Sequence, residues 1–176
     1  LKAGLQLAGA ITTVSPGYAN EIQHEPLGFG LHGLLSARKD RLYGILNGID
    51  TGVWNPATDP LISCRYDAGT LASKSNNKRA LQQRLGLAPT PELPLFAVIS
   101  RLTEQKGLDW LLQIAPQILT LPAQLALLGG GDGVLERGFV ALAQGHPAQA
   151  STRIGFDESL AHLIEAGADA FLMPSR

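Results

Sequence analysis

The chain has 176 residues, 45% of them hydrophobic, with twenty glycines and a formal net charge of −1 at neutral pH. That is enough apolar material to bury a core as one domain or as pieces of two, and near-neutral charge without a block of like charges excludes nucleic acid or an anionic membrane as the main partner. No apolar run approaches the roughly 18 residues that span a bilayer, no signal-peptide pattern is present, and the single cysteine, Cys64, has no intrachain partner, so cytoplasm is the expected compartment.

The chain begins at Leu1 rather than methionine, and its last residues, ADAFLMPSR, read as a strand running into a loop, so the sequence reads as a fragment. In chain order, Leu1 to Ala8 has the pattern of a helix end and Ala10 to Val14 that of a short strand. Ser15 followed by Pro16 is an N-cap and N1 pair opening a helix that contains Glu21. GFGLHG (28–33) is too glycine-rich for a regular element; Leu34 to Asp40 reads as a short helix and Leu42 to Leu46 as a strand, closed by the turn formers Asn47, Gly48 and Asp50. Thr51 to Asn77 lacks periodicity and reads as an ordered surface excursion pinned by Trp54 and Tyr66. Asn77 to Leu87 is helical, with Leu81 and Leu85 one turn apart, and is stopped by the prolines at 89, 91 and 94.

From there the pattern is regular. Leu95 to Ile99 is a continuous apolar run, as a parallel strand covered on both faces requires. A helix follows with Leu108, Leu111, Leu112, Ala115, Ile118 and Leu119 on one face, which Pro116 should kink or end early. Gln124 to Leu128 and Ser151 to Ile154 are strands, Asp132 to Gln144 and Glu158 to Ala166 helices, and Ala170 to Met173 a last strand. Four strands alternating with three helices imply right-handed crossovers and an α/β fold with a doubly wound parallel sheet.

On such a sheet three strand-end loops converge: SRLTEQKG, GGGDG and GFDE. The first carries Arg101 and Lys106 in a turn that opens a helix, where amide groups and the positive end of the helix dipole stabilise an anion. The glycines at 129, 130, 131 and 133 let backbone approach a phosphate or sugar closely, and Phe156 can stack on a base. Each feature also has a plainer reading: solvated charges, a tight turn, and a core phenylalanine. The histidines at 24, 32, 146 and 162 show no metal-ligand spacing, and His162 falls off the apolar stripe of its helix, so it is expected to face solvent. Ser15 and Ser100 lack the surroundings of a nucleophilic serine.

The strings TTVSPGYANEI (12–22), GILNGID with WNP (44–50 and 54–56), SRLTEQKGLD (100–109), LALLGGGD (125–132) and GADAFLMPSR (167–176) resemble, in order, those of the bacterial glycogen and starch synthase family. That resemblance implies a glycosyltransferase-B fold of two Rossmann-like domains, with residues 1–46 the tail of the acceptor-side domain and 47–176 part of the nucleotide-sugar domain. It implies a metal- and cofactor-independent, retaining transfer of glucose from ADP-glucose to an α-1,4-glucan such as glycogen. By the same resemblance Arg101 and Lys106 contact the donor diphosphate as the catalytic pair. Asn47 and Gly48 match the family's sugar-side NG motif, and Ser100, Gly129, Gly130, Gly131, Asp132 and Phe156 line the substrate pocket. Relatives often carry Tyr at 156, a hydroxyl this chain lacks. The family's Lys-x-Gly-Gly loop would precede Leu1 and its Glu-x-x-Cys-Gly stretch would follow Arg176, so the chain by itself is expected to lack synthase activity. Alternatives are a retaining glycosyltransferase of the same architecture with another nucleotide sugar, a non-catalytic nucleotide-binding module, and an NAD-type oxidoreductase, the last weakened by Val134 where a dinucleotide fingerprint needs glycine.

Overall fold

In the computed structural model, which describes residues 1–176, helix α1 (Lys2–Leu7) leads to strand β1 (Ile11–Thr13) and helix α2 (Pro16–Glu21). The Ser15 Oγ accepts the Tyr18 amide at 2.9 Å with Pro16 in the first turn, so this helix starts where the cap chemistry places it. Helix α3 (His32–Ala37) begins two residues before the expected Leu34, and a 3-10 turn, Lys39–Arg41, leads into strand β2 (Leu42–Gly44). Strands β1 and β2 run parallel, Ile11 opposite Leu42 and Thr13 opposite Gly44. Gly44 has no room for a side chain, because a Cβ there would lie 2.2 Å from the Ser15 carbonyl oxygen. These elements form one compact unit, Leu1–Asp50; a second spans Thr51–Arg176.

The second unit opens with the expected irregular stretch, followed by a 3-10 turn at Leu71–Ser73 and helix α4 (Lys74–Leu85). Asn77 fastens the stretch to the helix, its amide accepting the Cys64 N–H at 2.8 Å and donating to the Cys64 carbonyl at 2.7 Å. Strand β3 (Leu95–Ile99), helix α5 (Leu108–Ile118), strand β4 (Gln124–Gly129), helix α6 (Gly133–Gly145), strand β5 (Ala150–Ile154), helix α7 (Glu158–Gly167) and strand β6 (Ala170–Phe171) follow. Pro116 sits inside α5, which ends two residues later. All four strands are parallel, in the order β5-β4-β3-β6.

Alternation along the central strands explains the unbroken apolar runs. Leu95 and Ala97 of β3 and Ala126 and Leu128 of β4 pack with Leu81, Leu85, Leu160 and Ile164 of α4 and α7; Val98 and Leu127 point the other way, onto Leu108, Leu111, Leu135 and Phe139 of α5 and α6. At the amino-terminal edge, the ammonium of Lys78 contacts Asp169 Oδ2 at 2.6 Å and donates to the carbonyls of Pro91 (2.9 Å) and Leu93 (2.7 Å), while the same carboxylate oxygen accepts the Leu95 amide at 2.7 Å.

The chain builds β3, β4 and β5 outward in one direction, then returns through α7 to lay β6 on the far side of β3. That reversal opens a crevice at the carboxyl ends of β3 and β6, the place where ligands bind in sheets of this kind.

Two expectations fail here. His162 is 2% exposed rather than solvent-facing, because the irregular stretch lies over that side of α7: Trp54 stacks on its ring (centroids 3.9 Å apart, planes 11° apart) and Asp59 Oδ2 accepts its Nδ1 proton at 2.6 Å. Periodicity within a helix cannot register a cover supplied by residues a hundred positions away. Phe156, read from composition as core, is 88% exposed, in the loop that follows the last residue of β5, Ile154.

Candidate functional site

Beyond the strand ends the ladder continues between loops: the Leu102 amide donates to the Gly130 carbonyl (3.1 Å), the Asp132 amide to the Leu102 carbonyl (2.8 Å) and the Gly155 amide to the Gly129 carbonyl (3.0 Å). The three loops enclose a cavity of about 410 Å³ lined by Ser100, Arg101, Gly129, Gly130, Phe156 and Ala161, among others. A smaller cavity of about 60 Å³ lies over the crevice between β3 and β6, lined by Ser100, Lys106, Leu172, Met173 and Pro174. Ile99 and Ser100 belong to both, so Arg101 and Lys106 occupy opposite sides of one strand end.

Neither Arg101 nor Lys106 has a side-chain hydrogen bond or ion pair, whereas Lys78 is spent on Asp169, Lys74 on the carbonyls of Glu165 and Ala166, and Arg176 on Asp109. Lys106 closes a 3-10 turn, Glu104–Lys106, set between β3 and α5, and Gly107 caps α5 in the left-handed region at φ 66°. The helix dipole therefore adds its positive end beside this ammonium group. Two cations without protein partners thus line neighbouring cavities, Lys106 beside the start of α5 and Arg101 at the end of β3.

The glycine loop works differently from its sequence reading. A Cβ at Gly129 would stand 1.9 Å from the Ser100 carbonyl oxygen and one at Gly131 2.5 Å from that of Leu102, so these positions are glycine because neighbouring strand-end loops touch. The Gly131 amide is committed to Glu136 Oε1 at 2.8 Å, and Asp132 caps α6 by accepting the Val134 amide at 2.7 Å. Gly129 and Gly130 line the larger cavity; Gly131 and Asp132 line neither. Asn47 and Gly48 lie in the first unit, exposed, in the irregular stretch after β2; Asn47 makes no side-chain hydrogen bond and Gly48 has open space where a Cβ would be.

Several positions that shape the site were not singled out in the sequence. Gly107 and Gly155 (φ 112°) take conformations that favour glycine. Arg176 braces the Lys106 corner, its amide donating to the Gln105 carbonyl at 3.1 Å and its guanidinium sitting on Asp109 and 4.2 Å from the centre of the Trp110 ring. The Lys106–Gly107 pair at a helix start was the available signal for the turn; Arg176 had none. No group of three His, Cys, Asp or Glu side chains is placed to hold a metal ion, and no helix is long and apolar enough to cross a membrane.

A profile described as the starch synthase catalytic domain matches residues 1–37. A glycogen synthase from Rhodopseudomonas palustris (strain TIE-1) is 61% identical over all 176 residues, which cover 36% of that protein; one from Nitrosomonas eutropha is 58% identical over the whole chain, covering 35% of it. The catalytic domain of starch synthase IV from Arabidopsis thaliana, solved bound to ADP and acarbose, superposes with a TM-score of 0.91 at 36% identity over 99% of this chain and 36% of its own. Over its whole length the chain is similar to proteins of the glycogen and starch synthase family. Its fold is accordingly of the glycosyltransferase-B class, as the resemblance implied. The chain spans about a third of the length of these synthases.

Proposed function

We propose that the protein carrying this chain is a retaining glycosyltransferase of the cytoplasm that moves glucose from ADP-glucose to the non-reducing end of an α-1,4-glucan, and that Arg101 and Lys106 are its diphosphate clamp. The observation that carries this reading is the pair of unpartnered cations on either side of Ser100, at the strand ends where the sheet reverses. As the glycosidic bond breaks, negative charge grows on the departing nucleoside diphosphate. Cations already fixed in place stabilise that charge more in the transition state than in the bound donor, which lowers the barrier rather than only tightening binding.

Gly129, Gly130 and Phe156 would form the nucleotide side of the pocket and Ser100 its floor between the two cations; Asn47 and Gly48, in the other unit, are assigned separately to sugar binding. Gly131 and Asp132 would act by bracing the loop. The ADP and acarbose held by the Arabidopsis relative fit this assignment of nucleotide and glucan.

The test is Arg101→Ala and Lys106→Ala in the full-length enzyme. Each should lower kcat/KM by about 10²- to 10³-fold, the cost of one preorganised donor. Unchanged activity would demote the pair to solvated charges and favour a binding module, and faster turnover with UDP-glucose than with ADP-glucose would move the protein to another donor class.

A further inference from the structure

Away from the residues assigned above, a cavity of about 220 Å³ lies between the irregular stretch and α7, with Trp54, Asn55 and Tyr66 on one side and His162 and Glu165 on the other. Its aromatic wall is set in advance: stacking on the buried His162 fixes the Trp54 ring while leaving 43% of that residue exposed. Its polar groups are unspent. The Trp54 indole N–H, the Tyr66 hydroxyl and the Glu165 carboxylate make no hydrogen bond. The Nε2 of His162, whose Nδ1 is engaged by Asp59, is buried with no partner.

We propose that this cavity is a carbohydrate subsite that takes one neutral pyranose ring of a glucan chain, laid against the Trp54 and Tyr66 rings and hydrogen-bonded to Glu165 and the Tyr66 hydroxyl. Charge disfavours an anion. The Glu165 and Asp59 carboxylates repel an anion, and the nearest cation, Lys74, is committed to the carbonyls of Glu165 (3.3 Å) and Ala166 (2.6 Å). A metal ion finds only one open carboxylate, since Asp59 is engaged by His162 Nδ1 and by the Leu61 amide at 2.8 Å. A purely apolar ligand would strand every polar group named above. What remains is a molecule with an apolar face and hydroxyls at its rim, which is what a pyranose offers to aromatic rings and a carboxylate. Burial already holds the Glu165 and Tyr66 protons more tightly than usual, so both groups are partly withdrawn from water before a ligand arrives. The choice of an α-glucan as the source of the sugar rests on the transferase reading; the cavity itself asks only for the ring.

The test uses indole fluorescence of the full chain with Trp110→Phe, which leaves Trp54 as the single tryptophan, titrated with maltotriose and, separately, with ADP. A saturable change at millimolar maltotriose is expected. Tyr66→Phe and Glu165→Met, each removing polar contacts while keeping most of the packing, should raise the maltotriose Kd at least fivefold and leave ADP binding unchanged. No saturable response, or a response equal in all three variants, overturns the subsite. ADP binding without maltotriose binding removes the subsite and leaves the transferase reading standing; maltotriose binding sensitive to Tyr66→Phe without ADP binding does the reverse.

Discussion

Gly107 packs directly on Pro174: a Cβ built on Gly107 would stand 2.1 Å from the Pro174 carbonyl oxygen. This contact ties the loop after β3 to the loop after β6 and fixes where Lys106 stands over the crevice. Gly107→Ala meets two penalties, a left-handed φ of 66° costing about 1–2 kcal/mol and an overlap with backbone that cannot move aside. We expect a loss of about 2–4 kcal/mol in urea unfolding. ADP affinity should fall in the surviving folded protein, because the Lys106 turn is displaced. Unaltered stability would show that the two loops separate freely.

Most of the second unit was legible because its signals are local. The run Leu95 to Ile99 can only be a strand covered on both faces, and Asp132 and Asp157 stand immediately before helices that their side chains cap. What could not be read depends on contacts between distant segments. His162 is buried by residues about a hundred positions earlier, and Gly129 and Gly131 are glycine because the Ser100–Leu102 backbone presses on them. The larger cavity was legible as three converging loops. That Arg101 and Lys106 face different cavities became visible only once β6 was seen beside β3.

The Lys78–Asp169 contact supports a stability prediction independent of function. Lys78→Met keeps the aliphatic stem but leaves the carbonyls of Pro91 and Leu93 without their donor and Asp169 with only the Leu95 amide. Breaking a fully buried pair costs about 3–5 kcal/mol. Here Asp169 is 41% exposed and solvent screens part of the loss, so about 2–3 kcal/mol is expected. The check is the urea midpoint at constant slope; a shift under 0.5 kcal/mol, the size of an ordinary surface change, would contradict it.

Phe156 separates binding from folding. With 88% of its surface exposed it contributes little to the core, so Phe156→Ala should leave stability within about 0.5 kcal/mol of the parent. If its ring stacks on the donor base, as proposed, the same change should cost about 1–3 kcal/mol of ADP binding, a rise in Kd of roughly 5- to 150-fold. Calorimetric titration of both proteins with ADP decides the matter. Equal affinities would place the base elsewhere.

Glu165 offers a pH test whose sign follows from its surroundings. Burial raises its pKa above the ordinary 4.5, with Lys74 and His162 pulling less strongly the other way. In the window between the unfolded and the raised folded value the native state holds more protons than the unfolded chain, so stability falls as pH rises. The contribution is fully present below the unfolded value and is lost as pH rises through the folded one. At neutral pH the wild-type chain therefore carries a partly buried charge at a cost that Glu165→Gln removes. The variant should be the more stable protein at pH 7, by less than about 1 kcal/mol because the side chain is half exposed and screened. Its advantage should shrink to nothing at a pH below 4.5, where the carboxyl is neutral in both states. Paired urea titrations at the two pH values read this directly, since every other titrating group is common to both proteins. A difference of the same size at both would mean that the substitution acts through packing, not through the charge.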